Sequence, residues 1–177
     1  AGSVSDANDL SLVSFLIEHE QGVKFLIVPH EIDAVTLHEV QEKIPAKSLL
    51  YTECTADTDF TDVQVLVVNI LGSLSRIYRY GNWAYVGGGF TAYLHSVIEP
   101  AVYGIPVAFG PRIERKTTPK EMVRRGIGAI VTTPEGLCYW FNQVREVREQ
   151  EDVKSRATAF IEANANFTQK VCANIEQ

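Results

Sequence analysis

The sequence predicts an α/β domain, with a parallel sheet of about six strands between two layers of helices. Three observations carry that prediction. Short runs rich in Val, Ile and Leu alternate with longer stretches of helical period, which is the pattern of strands joined by crossover helices. The runs are continuously apolar rather than alternating, as strands covered on both faces are. Two of them end in glycine corners, VGGGF (86–90) and FGP (109–111), at the strand ends where such sheets bind ligands.

In chain order, Leu10, Val13, Leu16 and Ile17 form an apolar stripe at helical spacing. VKFLIVP (23–29) reads as a buried strand. Val35, Val40 and Ile44 mark a second helix, with Asp33 as its N-cap. SLLYT (48–52) is a weaker strand and VQVLVV (63–68) a stronger one. Leu74, Ile77 and Tyr78 mark a short third helix. WAYVGG (83–88), PVAFG (106–110) and GAIVT (128–132) complete the strands. From Pro134 the chain reads as helical to its end. Leu137, Trp140, Phe141 and Val144 share one face, EQED (149–152) reads as a bend, and Phe160, Ile161, Phe167, Val171 and Ile175 share a looser second face. Residues 1–177 are therefore expected to form a single Rossmann-like domain, with 150–177 as its C-terminal helix.

Composition narrows the function. The formal net charge of −6 argues against a non-specific nucleic-acid binder, which needs a basic face to replace counterions. It also argues against docking on an anionic membrane by charge alone. Cys54, Cys138 and Cys172 are odd in number and widely spaced, which fits neither a disulfide framework nor a structural zinc site. The four histidines show no ligand spacing, so no metal is expected. No apolar run reaches the length of about 20 residues that a membrane span needs. The small, polar start, AGSVSDAND, lacks an initiating Met and reads as the cut end of a longer protein.

The segment 86–111 concentrates the chemistry. Glycines at 87, 88 and 89 either bring bare backbone close to a ligand or make a tight turn with close strand–helix packing. Gly87, Gly89 and Ala92 fit G-x-G-x-x-A, but the next strand ends Phe109-Gly110-Pro111, without the acid that holds a dinucleotide ribose. A P-loop motif is absent. Ser96 and Glu99 have the spacing of a capping box. Alternatively, Glu99 accepts hydrogen bonds from a ribose diol, for which a carboxylate is suited. His95 stands near an expected helix start, able to bond either the glycine loop or a ligand. His30 and Glu31 follow another strand end. Arg112, Arg115, Lys116 and Lys120 cluster after the Gly-Pro corner, where they meet an anion or are simply solvated.

VGGGF, His95, Glu99 and AVYGIPVAFGP resemble the C-terminal half of the 3-deoxy-D-manno-octulosonic acid (Kdo) transferases. That pattern reads roughly V-G-G-x-F, a Gly-rich link, H-N-x-L-E-A-A, then P-V-x-x-G-P. The likeness extends to Ala1-Gly2-Ser3 as the end of a first strand, to Ile27-Val28-Pro29-His30-Glu31 as an A-P-R or A-P-H corner, and to NILGSL (69–74), containing Gly72, as D-T-x-G-E-L. Differences fall in the link, where Thr91-Ala92-Tyr93-Leu94 replaces glycines, and at Ser96, where Asn is usual. Asn69, Ser73 and Arg115-Lys116 also depart from the pattern.

The resemblance implies one half of a GT-B glycosyltransferase, whose C-terminal domain binds CMP-Kdo. It implies inverting, metal-independent transfer to a lipid A precursor, with no cofactor. The catalytic base and the acceptor site are expected on an N-terminal domain outside this sequence. The fragment alone is expected to be inactive and soluble, and the whole enzyme to lie at the cytoplasmic face of the bacterial inner membrane. Donor-binding residues implied are Gly87, Gly88, Gly89, His95, Ser96, Glu99, His30, Gly72 and Arg115. A related enzyme using a UDP-sugar, and a divergent homologue without catalysis, remain as alternatives.

Overall fold

The computed structural model describes residues 1–4, 6–91 and 93–165. Seven strands form one sheet: β1 (Gly2–Val4), β2 (Phe25–Pro29), β3 (Ser48–Leu50), β4 (Val65–Val67), β5 (Ala84–Val86), β6 (Val107–Phe109) and β7 (Gly128–Ile130). Every adjacent pair is parallel, in the order β3-β4-β2-β1-β5-β6-β7. The strand beyond the six apolar runs is β1. It is only three residues long and carries one β-branched residue, so composition alone does not mark it.

The helices are α1 (Ala7–His19), α2 (Ala34–Lys43), α3 (Leu74–Ile77), α4 (Ile98–Val102), α5 (Thr117–Arg124), α6 (Pro134–Val144) and α7 (Val147–Ala165). They cover both faces of the sheet, because residues of the central strands alternate between two cores. Tyr85 and Ala108 join Leu12, Leu16 and Ile17 of α1, Val40 of α2 and Phe141 of α6. Ala84, Val86, Val107 and Phe109 join Ala101 of α4, Met122 of α5 and Phe160 of α7. A strand buried on both faces must be apolar throughout, which is why these runs stand out in the sequence.

Local signals set several helix ends. Asp6 caps α1 through bonds from the Asn8 and Asp9 amides at 2.8 and 3.0 Å. Asp33 caps α2 as expected, but Val35 is 68% exposed and stands off the core that Val40 and Ile44 join. Thr133 caps α6, with Pro134 in its first turn. The expected bend at EQED is not there. The chain breaks at Arg145 and Glu146, and EQED lies in the first turns of α7, where carboxylates favour the positive end of the helix dipole. Positions 167, 171 and 175 of the expected second face lie outside the described residues, so α7 accounts for the C-terminal helix as far as Ala165.

Candidate functional site at the carboxyl rim

From β1 the chain passes to β2 and the β3–β4 edge, then jumps back past β1 to β5. The order therefore reverses between β1 and β5, and a doubly wound sheet opens a crevice beyond its strand ends at such a point. The loops after β2, β5 and β6 converge there.

The glycine turn after β5 is built from close backbone contacts. A Cβ on Gly87 would overlap the Ser3 carbonyl oxygen and lie 2.8 Å from Asp9 Oδ2. Gly88 takes φ 82, and a Cβ there would overlap the Tyr93 carbonyl, so both conformation and space demand glycine. Gly89 faces Gly110 of the β6 corner, whose backbone nitrogen would lie 2.5 Å from an added Cβ. Arg112 N–H then donates to the Gly89 carbonyl at 2.9 Å, tying the two corners together. The Gly87 amide donates to the Gly2 carbonyl at 2.9 Å, and the Gly88 amide to Asp9 Oδ2 at 2.9 Å. Of the two readings of the triplet, these contacts satisfy the close-packing one for Gly87 and Gly88.

Two imidazoles meet above this turn. The rings of His30, which follows β2, and His95, which follows the glycine loop, have centroids 4.4 Å apart. The His95 amide donates to the Gly87 carbonyl at 3.2 Å, and Lys116 Nζ donates to the Leu94 carbonyl at 2.6 Å. The His95 pKa lies below its ordinary value, chiefly through burial and then through His30 and Lys116, with Asp9 opposing. A neutral, half-buried imidazole beside cations is poised to take a proton when an anion arrives.

A hollow of about 400 Å³ opens beside His95, lined also by Ser96, Ile98, Arg115, Lys116 and Thr117. It lies at the start of α5, which has no side-chain cap, and first-turn N–H groups of a helix have no partner within it. Ser96 does not cap α4: Val97 holds that position without a side-chain bond, so the capping box is not formed. The helix starts one residue later than that box requires, which puts Pro100 in its first turn, where proline is tolerated. With five residues, α4 has little aligned dipole to offer. Glu99 is half-buried in that turn, where its charge, after burial, helps push the Tyr78 phenol up.

The structure thus brings His30, His95, Ser96, Arg115 and the glycine turn to one rim. Gly72 lies in the loop after β4, at φ 71 with open space around it, and does not line the hollow. Arg112 and Lys120 do not line the hollow, and Lys120 donates to the Glu114 carbonyl. His19 stacks on Phe15 and His38 pairs with Glu42, both exposed. An apolar hollow of about 140 Å³ at the opposite rim, beside Trp83, Trp140 and Phe141, contains none of the expected site residues. Among the described residues no helix is long and apolar enough to cross a membrane.

Asp9 escaped the reading of the sequence. It is fully buried, accepting from Tyr85 Oη at 2.6 Å as well as from Gly88. The signal was available: Asp9, Val13, Leu16 and Ile17 share one helical face, so a carboxylate stands on an apolar stripe.

A parallel sheet covered on both faces, with polar and charged groups gathered where its order reverses, defines a Rossmann-like α/β domain. Comparison with known proteins gives the particular relationship. The chain is 31% identical over 137 residues, 76% of its length, to a 3-deoxy-D-manno-octulosonic acid transferase of Chlamydia pneumoniae. It is 25% identical over 138 residues to the transferase of the same name from Aquifex aeolicus. It spans 29% and 37% of the lengths of those two relatives. No family model matches. In fold it is similar to a crystal structure described as the C-terminal CMP-Kdo binding domain of WaaA from Acinetobacter baumannii. The TM-score is 0.76 at 16% identity, covering 89% of this chain and 85% of that one. The chain is therefore similar in sequence to part of the Kdo transferases and similar in fold to that C-terminal domain.

Proposed function

We propose that this chain is the donor-nucleotide domain of a Kdo transferase and binds CMP-Kdo at the rim around His30 and His95. The observation that carries this reading is the convergence of two imidazoles, Arg115, Lys116 and the uncapped start of α5 at the point where strand order reverses. Transfer of Kdo breaks the bond between the sugar's anomeric carbon and the CMP phosphate. Charge then builds on the departing phosphate as the sugar becomes oxocarbenium-like, by analogy with glycoside hydrolysis. Fixed cations and dipoles aimed at that phosphate lower the barrier.

In this assignment Arg115, His95, Ser96 and His30 face the phosphate, and Glu99 takes the ribose hydroxyls. Gly87, Gly88 and Gly89 let the supporting backbones approach one another, and Gly72 shapes the neighbouring rim. The full enzyme adds a second Rossmann-like domain in the GT-B arrangement, which supplies the catalytic base and takes a lipid A precursor at the inner membrane. Transfer is inverting and needs neither metal nor cofactor, and this domain alone is inactive. Titration of the 177-residue chain with CMP, followed by amide shifts from Gly87 to Glu99, tests the reading. Shifts at millimolar CMP are expected, and their absence would sink it. A stronger response to UDP would move the assignment to a UDP-sugar enzyme.

One observation favours a second reading, a domain that keeps the fold without donor binding: the Gly87 and Gly88 amides are already bonded within the protein. Replacing Thr91 and Tyr93 by Gly and Ser96 by Asn restores the usual link. Improved CMP binding then points to a degraded site, and no change to a module with another role.

A further inference from the structure

We infer that Asp9 is a positioning residue for this rim, holding His95 against His30 through the glycine turn and supporting a positive charge on the pair when an anionic ligand binds. The inference rests on the donor-site reading for its ligand, while its geometry is independent of it. Asp9 is the one charged side chain buried among the described residues. One of its oxygens accepts from Tyr85 on β5, and the other from the Gly88 amide. Gly88 is the pivot of the turn. Its carbonyl accepts from the Thr91 amide at 3.2 Å and from Thr91 Oγ1 at 3.0 Å. An atom added at its Cβ position would lie 2.9 Å from His95 Cδ2.

Loss of the carboxylate leaves a buried amide without its acceptor, which is costly enough to move a loop. Asp9 also acts by charge. The groups acting on His95 are His30 from β2, Asp9 from α1 and Lys116 from the segment before α5. His30 and Lys116 disfavour a proton on His95, whereas Asp9 opposes them. It therefore favours the imidazolium that a phosphate would pair with. Tyr85, whose phenol is pushed up by burial and by Asp9, stays a neutral donor to it.

The test compares Asp9→Asn, Tyr85→Phe and the unsubstituted chain. The ring resonances of His30 and His95 are followed against pH without ligand, and CMP is then titrated. With Asp9→Asn, whose amide oxygen can still accept from Gly88 but which carries no charge, the His95 midpoint should fall and CMP affinity drop by about tenfold. Tyr85→Phe keeps both the charge and the Gly88 bond, and should leave the midpoint and ring contact unchanged. An unmoved His95 midpoint in Asp9→Asn overturns the inference, as does an equal change in Tyr85→Phe. Absence of CMP binding to the unsubstituted chain would instead remove the donor-site reading, with the ring titration still judging Asp9. Should Asp9→Asn not fold, Asp9→Glu is measured in its place. A retained midpoint with a looser ring contact supports positioning, and failure to fold there too makes Asp9 a packing residue only.

Discussion

Two glycine-bearing loops on the same rim behave in opposite ways. Gly72, after β4, takes φ 71 with nothing within 4 Å of where its side chain would be. Gly87, Gly88 and Gly89, after β5, are wedged against Ser3, Tyr93 and Gly110. The first needs glycine for its backbone angle alone, the second because main chains touch and, at Gly88, for its angle as well. A glycine beyond a strand therefore has two separate meanings, and only packing tells them apart. The close-packed turn belongs to the part of the rim that carries His30 and His95.

Substitution separates the two meanings, and the largest effect is expected at Gly89. Gly89→Ala puts a methyl group into the Gly110 backbone, which has no rotamer through which to yield. A loss of about 3 kcal/mol is expected, at the upper end of overpacking costs, read as a fall in the denaturant midpoint. An unchanged midpoint would mean that the two corners are not held together. Gly72→Ala meets no neighbour and should lose about 1–2 kcal/mol, the cost of a left-handed angle for an ordinary residue. Equal losses at both positions would erase the contrast.

Much of the fold was legible, because the central strands are apolar on both faces, and the cap Asp33 and the helix start at Pro134 are local signals. β1 was visible only through the family resemblance at Ala1-Gly2-Ser3, because a three-residue strand owes its place to its neighbours: it pairs with both β2 and β5. Ser3, within it, even takes φ 52, a left-handed angle that no local pattern requests. Within the site, His30 and His95 were visible as residues following strand ends. Their contact, 4.4 Å between rings separated by 65 positions, depends on β1 lying between β2 and β5. Neither the use of the Gly88 amide by Asp9 nor the failure of Ser96 to cap α4 could be read from spacing, since both are decided by where α1 and α4 sit against the sheet.

A smaller effect is expected at Lys116, whose ammonium donates to the Leu94 carbonyl. Lys116→Met should lower stability by about 1 kcal/mol, in the range for a partly exposed hydrogen bond. It also removes a cation that disfavours a proton on His95, so the His95 midpoint should rise while affinity for CMP falls. Opposite movement of these two readouts distinguishes a cation that holds the anion from one that only props the loop. If affinity is unchanged, Lys116 belongs to the loop alone.

The smallest effect is in the dependence of stability on pH, and its sign is fixed by the direction of one shift. The His95 pKa is lowered in the folded chain from about 6.5. As pH falls through that value, the unfolded chain takes up the proton first, and folding loses ground. The contribution of His95 is therefore complete above pH 6.5 and declines below it, toward the lower folded value. Because the ring is only half-buried, the decline should be modest. Melting temperatures of the chain and of His95→Gln, compared between pH 7.5 and 5.5, isolate it: the substituted chain should lose less on acidification. Saturating CMP should shrink the difference, because an anion beside the imidazole raises its affinity for the proton. If CMP leaves the acid-side loss unchanged, the ligand does not reach His95, and the rim that the glycine contacts hold together is a scaffold for some other contact.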